Sequence, residues 1–238
     1  MKDAGQYGEE SMDNAAVVNF RTRTGQVRRA RTRARILSTA FELFDERSVD
    51  QVTVEDVRAS AGLARGSFYN YFLTYEHMLK ELAAEISRQI NIEQTARFEG
   101  VENLLERMWC NVRYFILRAA SDRSCSEILI RVTPLLGPLN NKMRLAAERS
   151  IRQSIKGKLI NVPSAAVALD LGYGLAAVMI RRALQGGIDL RELDAAGLLL
   201  LRAFGVKEIE ARRISRLPLA ALPEIRLRTA VINGFGAA

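Results

Sequence analysis

Histidine is nearly absent from this 238-residue chain, with His77 the single example. Acid–base or triad chemistry built on histidine therefore has little to draw on, and no catalytic residue is nominated. Cysteine is almost as scarce. Cys110 and Cys125 fall short of a disulfide framework and, with one histidine, of the four ligands a closed zinc site usually takes. Buried free cysteines usually act as small hydrophobes, and a redox pair is the lesser reading. No G-x-S-x-G elbow is present, and neither a metal nor a cofactor is expected. The longest strongly apolar run, Ala195 to Leu201, is far below the roughly 20 residues of a membrane span. The first 20 residues carry Asp3, Glu9, Glu10 and Asp13 and no apolar core, so no signal peptide is read there. A cytoplasmic protein without a membrane partner is expected. Also missing is any sustained apolar–polar alternation of period two, which argues against a sheet.

Hydrophobic residues make up 48% of the chain and mean hydropathy is −0.03, enough to bury a sizeable core. The length suits a small module plus a larger one. The net charge is +8, and part of it is concentrated: Arg21, Arg23, Arg28, Arg29, Arg31, Arg33 and Arg35 lie in a stretch without acids from Asn14 until Glu42. Such a block attracts phosphates and releases counterions; the plainer reading is a solvated tail.

Residues 1–27 are mixed in sign and poor in periodicity, and read as a flexible basic arm. From Arg28 a helix is predicted, with Ile36, Leu37, Ala40, Phe41 and Phe44 on one face. Thr53 is an N-cap candidate, with Asp56 placed to complete a variant of the capping box. Val54, Val57 and Ala61 form the apolar side of that short helix. Gly62 ends it, since glycine tolerates the left-handed conformation at a helix C-terminus. A third short helix is predicted from about Arg65 to Phe72. Two short helices joined by a glycine-containing turn describe a helix-turn-helix. Its second helix would bury Leu63, Phe68 and Phe72 and present Arg65, Gly66, Ser67, Tyr69 and Asn70. Arginine grips guanine and asparagine pairs with adenine in the major groove. Tyr69 and Tyr71 also fit as plain core aromatics.

Longer helices are predicted near 75–97, 101–120, 123–133, 138–158, 164–185 and 189–204, punctuated by Gly100, the segment Pro134 to Pro138, Pro163 and Gly186-Gly187. Asp189 and Glu192 form a capping pair. Residues 206–238, with Pro218 and Pro223, are expected as part helix and part surface-hugging tail.

The stretch Ile36-Leu-Ser-Thr-Ala-Phe-Glu-Leu-Phe-Asp-Glu-Arg47, then Thr53-Val-Glu-Asp-Val57, then Ala61-Gly-Leu-Ala-Arg-Gly-Ser-Phe-Tyr-Asn-Tyr-Phe72, then Glu76 and Met78-Leu79, resembles the N-terminal domain of TetR-family regulators. The resemblance covers about 45 of the 238 residues. It implies an all-α homodimer: a three-helix DNA-binding domain over 28–74, and a helical bundle for ligand binding and dimerisation over 75–205. It places Thr53, Arg65, Gly66, Ser67, Tyr69, Asn70 and Tyr71 at DNA-contacting positions on double-stranded DNA. Tyr75 stands where the family usually has a phosphate-binding lysine. Ser48 replaces a usual glycine, Ala64 a usual Ser or Thr cap, and Arg58 a small alanine, so that Arg58 must snorkel out or reach DNA. The arginine-rich arm is a substitute anchor. The apolar helices 164–184 and 190–204 fit the family's dimer interface.

In the larger domain Trp109, Tyr114, Phe115 and Tyr173 are candidates to line an apolar cavity. Arg113, Arg118, Arg131 and Arg144 are candidates to hold a carboxylate or phosphate, which makes an amphipathic anion a conceivable small-molecule effector. Core aromatics and solvated arginines are the plainer reading. The function expected is a sequence-specific transcriptional regulator, a ligand-responsive repressor on a palindromic operator. The alternative is a similar DNA-binding protein with no small-molecule effector, controlled by a partner protein; an enzyme is less favoured.

Overall fold

The computed structural model describes the backbone of residues 6–136, 141–218 and 220–235, and the side chains of 25–132, 144–218 and 220–235. Among these residues ten α-helices and two 3₁₀ turns account for the regular structure, and no strand occurs. The first helix, α1 (Gln6–Glu46), runs through most of the segment read as an arm and opens at Gln6 instead of Arg28. Among the side chains described ahead of Ile36, those of 25–35, none is buried, so this stretch offers no apolar periodicity to read. The side chains of Arg21 and Arg23 lie outside those described.

Ile36, Leu37, Ala40, Phe41 and Phe44 form the buried face of α1, widened by Leu43. A 3₁₀ turn (Val49–Gln51) leads to α2 (Val54–Ser60). Thr53 and Asp56 make a reciprocal capping box: the Asp56 amide donates to Thr53 Oγ1 at 3.2 Å, and the Thr53 amide to Asp56 Oδ2 at 2.8 Å. Two of the orphan donors at this helix start are thereby satisfied. At its other end the Leu63 amide donates to the Arg58 carbonyl at 3.0 Å and the Gly62 amide to Ala59 at 3.1 Å. This is a Schellman closure, and Gly62 sits at φ +63 as that closure requires.

Helix α3 (Tyr75–Phe98) is capped by Thr74, whose hydroxyl accepts from the His77 amide at 3.0 Å. Its Met78, Leu79, Leu82, Ala83, Ile86 and Ile90 are fully buried. It packs on α4 (Leu104–Ala120) and α5 (Arg123–Leu136), which in turn pack on α7 (Ala165–Gly186). Helix α6 (Asn141–Lys156) lies against α4 and α7; residues 138–140 of its expected span are outside those described. Helix α8 (Leu190–Ala203) packs on α7 and on α9 (Glu208–Ser215).

The last helix, α10 (Leu227–Phe235), lies in the segment expected as part helix and part tail, and it is packed into the core. Leu227 and Val231 are fully buried, and the helix contacts α1, α3 and α5 together. Phe235 meets Phe41 at 6.4 Å between ring centroids. With Leu227, Ala230 and Val231 spaced three and one apart, its apolar face is short but complete.

Candidate nucleic-acid interface and cavity

The second element of the helix-turn-helix is shorter than the predicted helix from Arg65 to Phe72: it is a 3₁₀ turn over Ser67–Asn70, entered through Gly66 at φ +89. A side chain at Gly66 would be strained by that backbone, although nothing lies within 4 Å to obstruct one. Glycine is therefore required there by conformation, not by the close approach of a neighbour. Phe68 and Phe72 are fully buried, their ring centroids 5.5 Å apart, and anchor the turn from beneath. Arg65, Gly66, Tyr69 and Asn70 are exposed, while Ser67 and Tyr71 are half-buried. Tyr69 keeps 58% of its surface open, too much for a core aromatic.

Thr53 is exposed at the start of α2, but its hydroxyl is committed to Asp56 at 2.7 Å. The Thr53 amide and hydroxyl hold the Asp56 carboxyl below the usual carboxylate range. Tyr75 does not face outward as a phosphate ligand would. Its hydroxyl donates to the Val49 carbonyl at 3.0 Å, its ring meets Phe44 edge-on, and burial pushes its pKa up. Arg58 neither reaches out to solvent nor spans the turn idly. Its Nη1 donates to the Leu63 carbonyl at 2.7 Å and its Nε to Glu55 at 2.7 Å, so a guanidinium fastens the turn between the two elements. Ser48 sits beside Glu127, whose carboxylate accepts from the Val49 amide at 3.0 Å.

A cavity of about 360 Å³ lies among α3, α4, α6, α7 and α8. Its apolar walls include Phe98, Phe115, Leu169, Tyr173 and Phe204, and Asn91, Gln94, Thr95, Asn111 and Ser150 supply polar groups. Gln94 is fixed by donating Nε2 to the Asn111 carbonyl at 2.7 Å. Two charges of opposite sign, Glu99 and Arg107, stand at its border. Burial pushes the Tyr173 hydroxyl pKa up.

Of the candidate ligand residues, Tyr173 and Phe115 line this cavity; Trp109, Arg113, Tyr114 and Arg118 do not. The four are consumed by the packing around it. Trp109 is 1% exposed, and its Nε1 donates to the Ser215 carbonyl at 3.2 Å. Arg113 joins the Leu217 carbonyl and the Asp194 carboxylate. Arg118 makes a two-point pair with Glu93, at 2.9 and 3.1 Å, and also donates to the Ile225 carbonyl at 3.0 Å. Tyr114 donates to the same Glu93 at 2.8 Å. Arg118, so fully partnered, has no capacity left for an anionic ligand, whereas Arg113 keeps a buried Nε without a partner beside its pair with Asp194. Arg131 pairs with Asp50, and Arg144 is exposed. The polar lining that sequence reasoning missed has a signal: Asn91, Gln94, Thr95 and Phe98 recur at helical spacing along one face of α3.

Both cysteines are free thiols, and burial raises the pKa of each. Among the described residues no cluster of His, Cys, Asp and Glu is arranged to hold a metal, and no helix is long and apolar enough to cross a membrane.

Comparison with known proteins meets this geometry in its N-terminal part. Residues 36–82 match the profile of "Bacterial regulatory proteins, tetR family". The HTH-type transcriptional regulator EthR of Mycobacterium tuberculosis and of Mycobacterium bovis is 32% identical over 75 residues, which is 31% of this chain and 35% of EthR. The chain thus matches about a third of the length of these curated relatives. Among solved structures, RolR in complex with its ligand resorcinol superposes with a TM-score of 0.66 at 22% identity, covering 83% of this chain and all of that one. A putative TetR-family transcriptional regulator from Syntrophomonas wolfei gives a TM-score of 0.54 at 20% identity, over 80% of this chain and 98% of its own. At these identities the likeness is one of fold, and it spans the helical bundle as well as the N-terminal domain. Residues 36–82 therefore form a helix-turn-helix domain of the kind described by the tetR family of bacterial regulatory proteins.

Proposed function

We propose that this chain is a ligand-responsive repressor that binds a palindromic operator as a homodimer. One observation carries the reading. The exposed turn bearing Arg65, Tyr69 and Asn70 leads straight into α3, whose far end lines a cavity of about 360 Å³. Residues 28–74 then form the reading module and residues 75–205 the bundle that senses and dimerises.

Base contacts come from Arg65, Ser67, Tyr69 and Asn70. Gly66 and Thr53 bring backbone near phosphate, and Tyr71 supports the turn from its half-buried place. Tyr75 is left out of the DNA-contacting set, because its hydroxyl is held by Val49. The dimer forms through α7 and α8, where Val167, Leu171, Val178 and Leu199 leave apolar surface open to solvent. Two copies then place their reading turns about one DNA turn apart, roughly 34–36 Å.

The effector is a small, predominantly apolar molecule that carries hydrogen-bonding groups and no strong net charge. The walls are apolar, the polar groups are neutral amides and hydroxyls, and Glu99 and Arg107 balance one another. The buried arginines are already paired, which sets the amphipathic anion aside. RolR, similar in fold, was crystallised with the ligand resorcinol, in keeping with a site of this size and polarity. An effector that moves occupancy from mostly bound to mostly free must discriminate between the two states by about 10⁴-fold, roughly 5.5 kcal/mol.

Selection of bound sequences from a random DNA pool tests this reading. A palindromic consensus is expected, from which Arg65→Ala and Asn70→Ala each lose about 1–3 kcal/mol. A consensus without two-fold symmetry, or none, would overturn it.

A further inference from the structure

The 3₁₀ turn that carries the reading surface has only four residues, Ser67–Asn70. Such turns have poor hydrogen-bond geometry and do not hold themselves. The burial of Phe68 and Phe72 fixes the inner side of this one. Its outgoing end, Asn70 to Leu73, is gripped almost residue by residue from elsewhere. Arg29 Nη2 donates to the Asn70 carbonyl at 3.0 Å, an acceptor that the end of a short turn does not satisfy internally. The same guanidinium lies 5.9 Å from the ring centroid of Tyr71. One helical turn further along α1, the Arg33 guanidinium lies 5.6 Å from the ring centroid of Phe72 and pairs with Glu81. His77, the single histidine, closes the set. Its Nδ1 accepts from the Leu73 amide at 3.2 Å, its Nε2 faces Glu81 at 3.2 Å, and its ring meets Phe72 at 6.0 Å.

Arg29 and Arg33 belong to the arginine block that composition alone reads as a phosphate anchor. The block in fact has two faces. Arg28, Arg31 and Arg35 are exposed, and no partner among the described residues engages their side chains. Arg29 and Arg33, four residues apart, face the reading element and are engaged with it. Arg33, paired with Glu81, has little charge left with which to displace counterions.

We propose that Arg29 and Arg33 are positioning residues for DNA reading: they set the angle at which Asn70 and its neighbours meet the bases, and they do not act as phosphate ligands. Planarity matters at both positions, because a guanidinium can lie over a ring while its N–H groups bond a neighbour, as an ammonium cannot. The inference rests on the DNA-reading function proposed above.

The test compares wild type with Arg29→Gln, at an exposed site outside the core, and with Arg33→Lys, which keeps the charge beside Glu81. Affinity is measured for the selected operator and for random DNA across a salt series. A positioning role predicts that operator affinity falls on the order of tenfold for Arg29→Gln, with random-DNA affinity and salt slope unchanged. Sequence preference should relax at the base read by Asn70 and hold elsewhere in the half-site. Arg33→Lys should show the same pattern more weakly, with its thermal midpoint retained. A uniform weakening of Arg29→Gln on all DNA, with its slope reduced by about 0.9, would identify a phosphate contact and overturn the proposal. Operator affinity equal to wild type in both variants would overturn it as well. A wild-type protein that enriches no sequence would instead remove the DNA-reading function itself, which the other two failures leave standing.

Discussion

Gly197 of α8 lies against the indole of Trp109 on α4 so closely that a β-carbon there would meet Cε2 and Cη2 at 2.6 Å. Trp109 cannot turn aside, since it is 1% exposed and held by Ser215. Glycine inside a helix costs roughly 0.5–1 kcal/mol relative to alanine, so removing it would ordinarily help. Here overpacking, at about 1–3 kcal/mol, outweighs that gain. Gly197→Ala is therefore expected to lower stability in thermal denaturation. A midpoint at or above that of wild type would show that α8 can slide on α4.

Arg228 ties α10 to α1 by pairing with Asp45, and its amide donates to Asp122 at 3.2 Å. The Arg228 hydrogen bond holds the Asp45 carboxyl below the usual carboxylate range. A depressed folded pKa means stability that is present above the unfolded value, about 3.9, and lost as pH falls through the folded one. Asp45 is half-exposed, which limits the pair to about 1 kcal/mol. Urea denaturation of wild type and Arg228→Gln should give a gap that is constant from pH 7 to about pH 5 and narrows below about pH 4. A gap that widens in acid would contradict the assignment.

Arg58→Ala removes the donor to the Leu63 carbonyl and leaves the turn of the helix-turn-helix to its Schellman bonds alone. The expected loss is about 0.5–1.5 kcal/mol, that of one hydrogen bond. It is read by chemical denaturation together with operator affinity, and both should fall. If stability were unchanged, the guanidinium would be ornamental at this place.

Helices and their packing were largely legible in the sequence; the reading turn was not. Met78, Leu79, Leu82, Ala83, Ile86 and Ile90 announce α3 by spacing and are all buried as spacing requires. Thr53 and Asp56 announce their box, and Gly62 its left-handed turn. Arg65 to Phe72 carries a helical pattern as well, but Gly66 at φ +89 interrupts it and leaves a 3₁₀ turn. The cavity was half legible. Tyr173 and Phe115 were visible as aromatics on the middle helices. Periodicity gives the side of a helix a residue occupies and not which neighbour meets that side. Trp109, Tyr114, Arg113 and Arg118 therefore looked equally eligible until their partners at Ser215, Glu93 and Leu217 were seen. Those partners lie as much as 106 residues away in the chain.

Val178 and Leu199 are exposed at 57% and 70% on α7 and α8. Val178→Glu with Leu199→Glu places two buried like charges per subunit in the proposed dimer contact. Sedimentation should show a monomer whose far-ultraviolet circular dichroism is unchanged. A dimer that persists would move the contact to another face.

Replacing Arg28, Arg31 and Arg35 together by Gln should lower affinity for operator and random DNA alike. The salt slope should fall by about 0.9 for every phosphate that no longer meets a guanidinium. A slope equal to that of wild type would make these three a solvated face.

Helix α3 spans Tyr75–Phe98, about 36 Å at 1.5 Å per residue, and is one continuous rod from the edge of the reading module to the wall of the cavity. A rod shared in this way couples the two proposed sites through its middle. In the function proposed above, whatever an effector beside Gln94 does to the hold on DNA, DNA does to the hold on the effector, by the same factor. For the repressor proposed above, substitutions in the middle of α3 would shift effector sensitivity and strength of repression together. Independent tuning of either is confined to the rod's two ends.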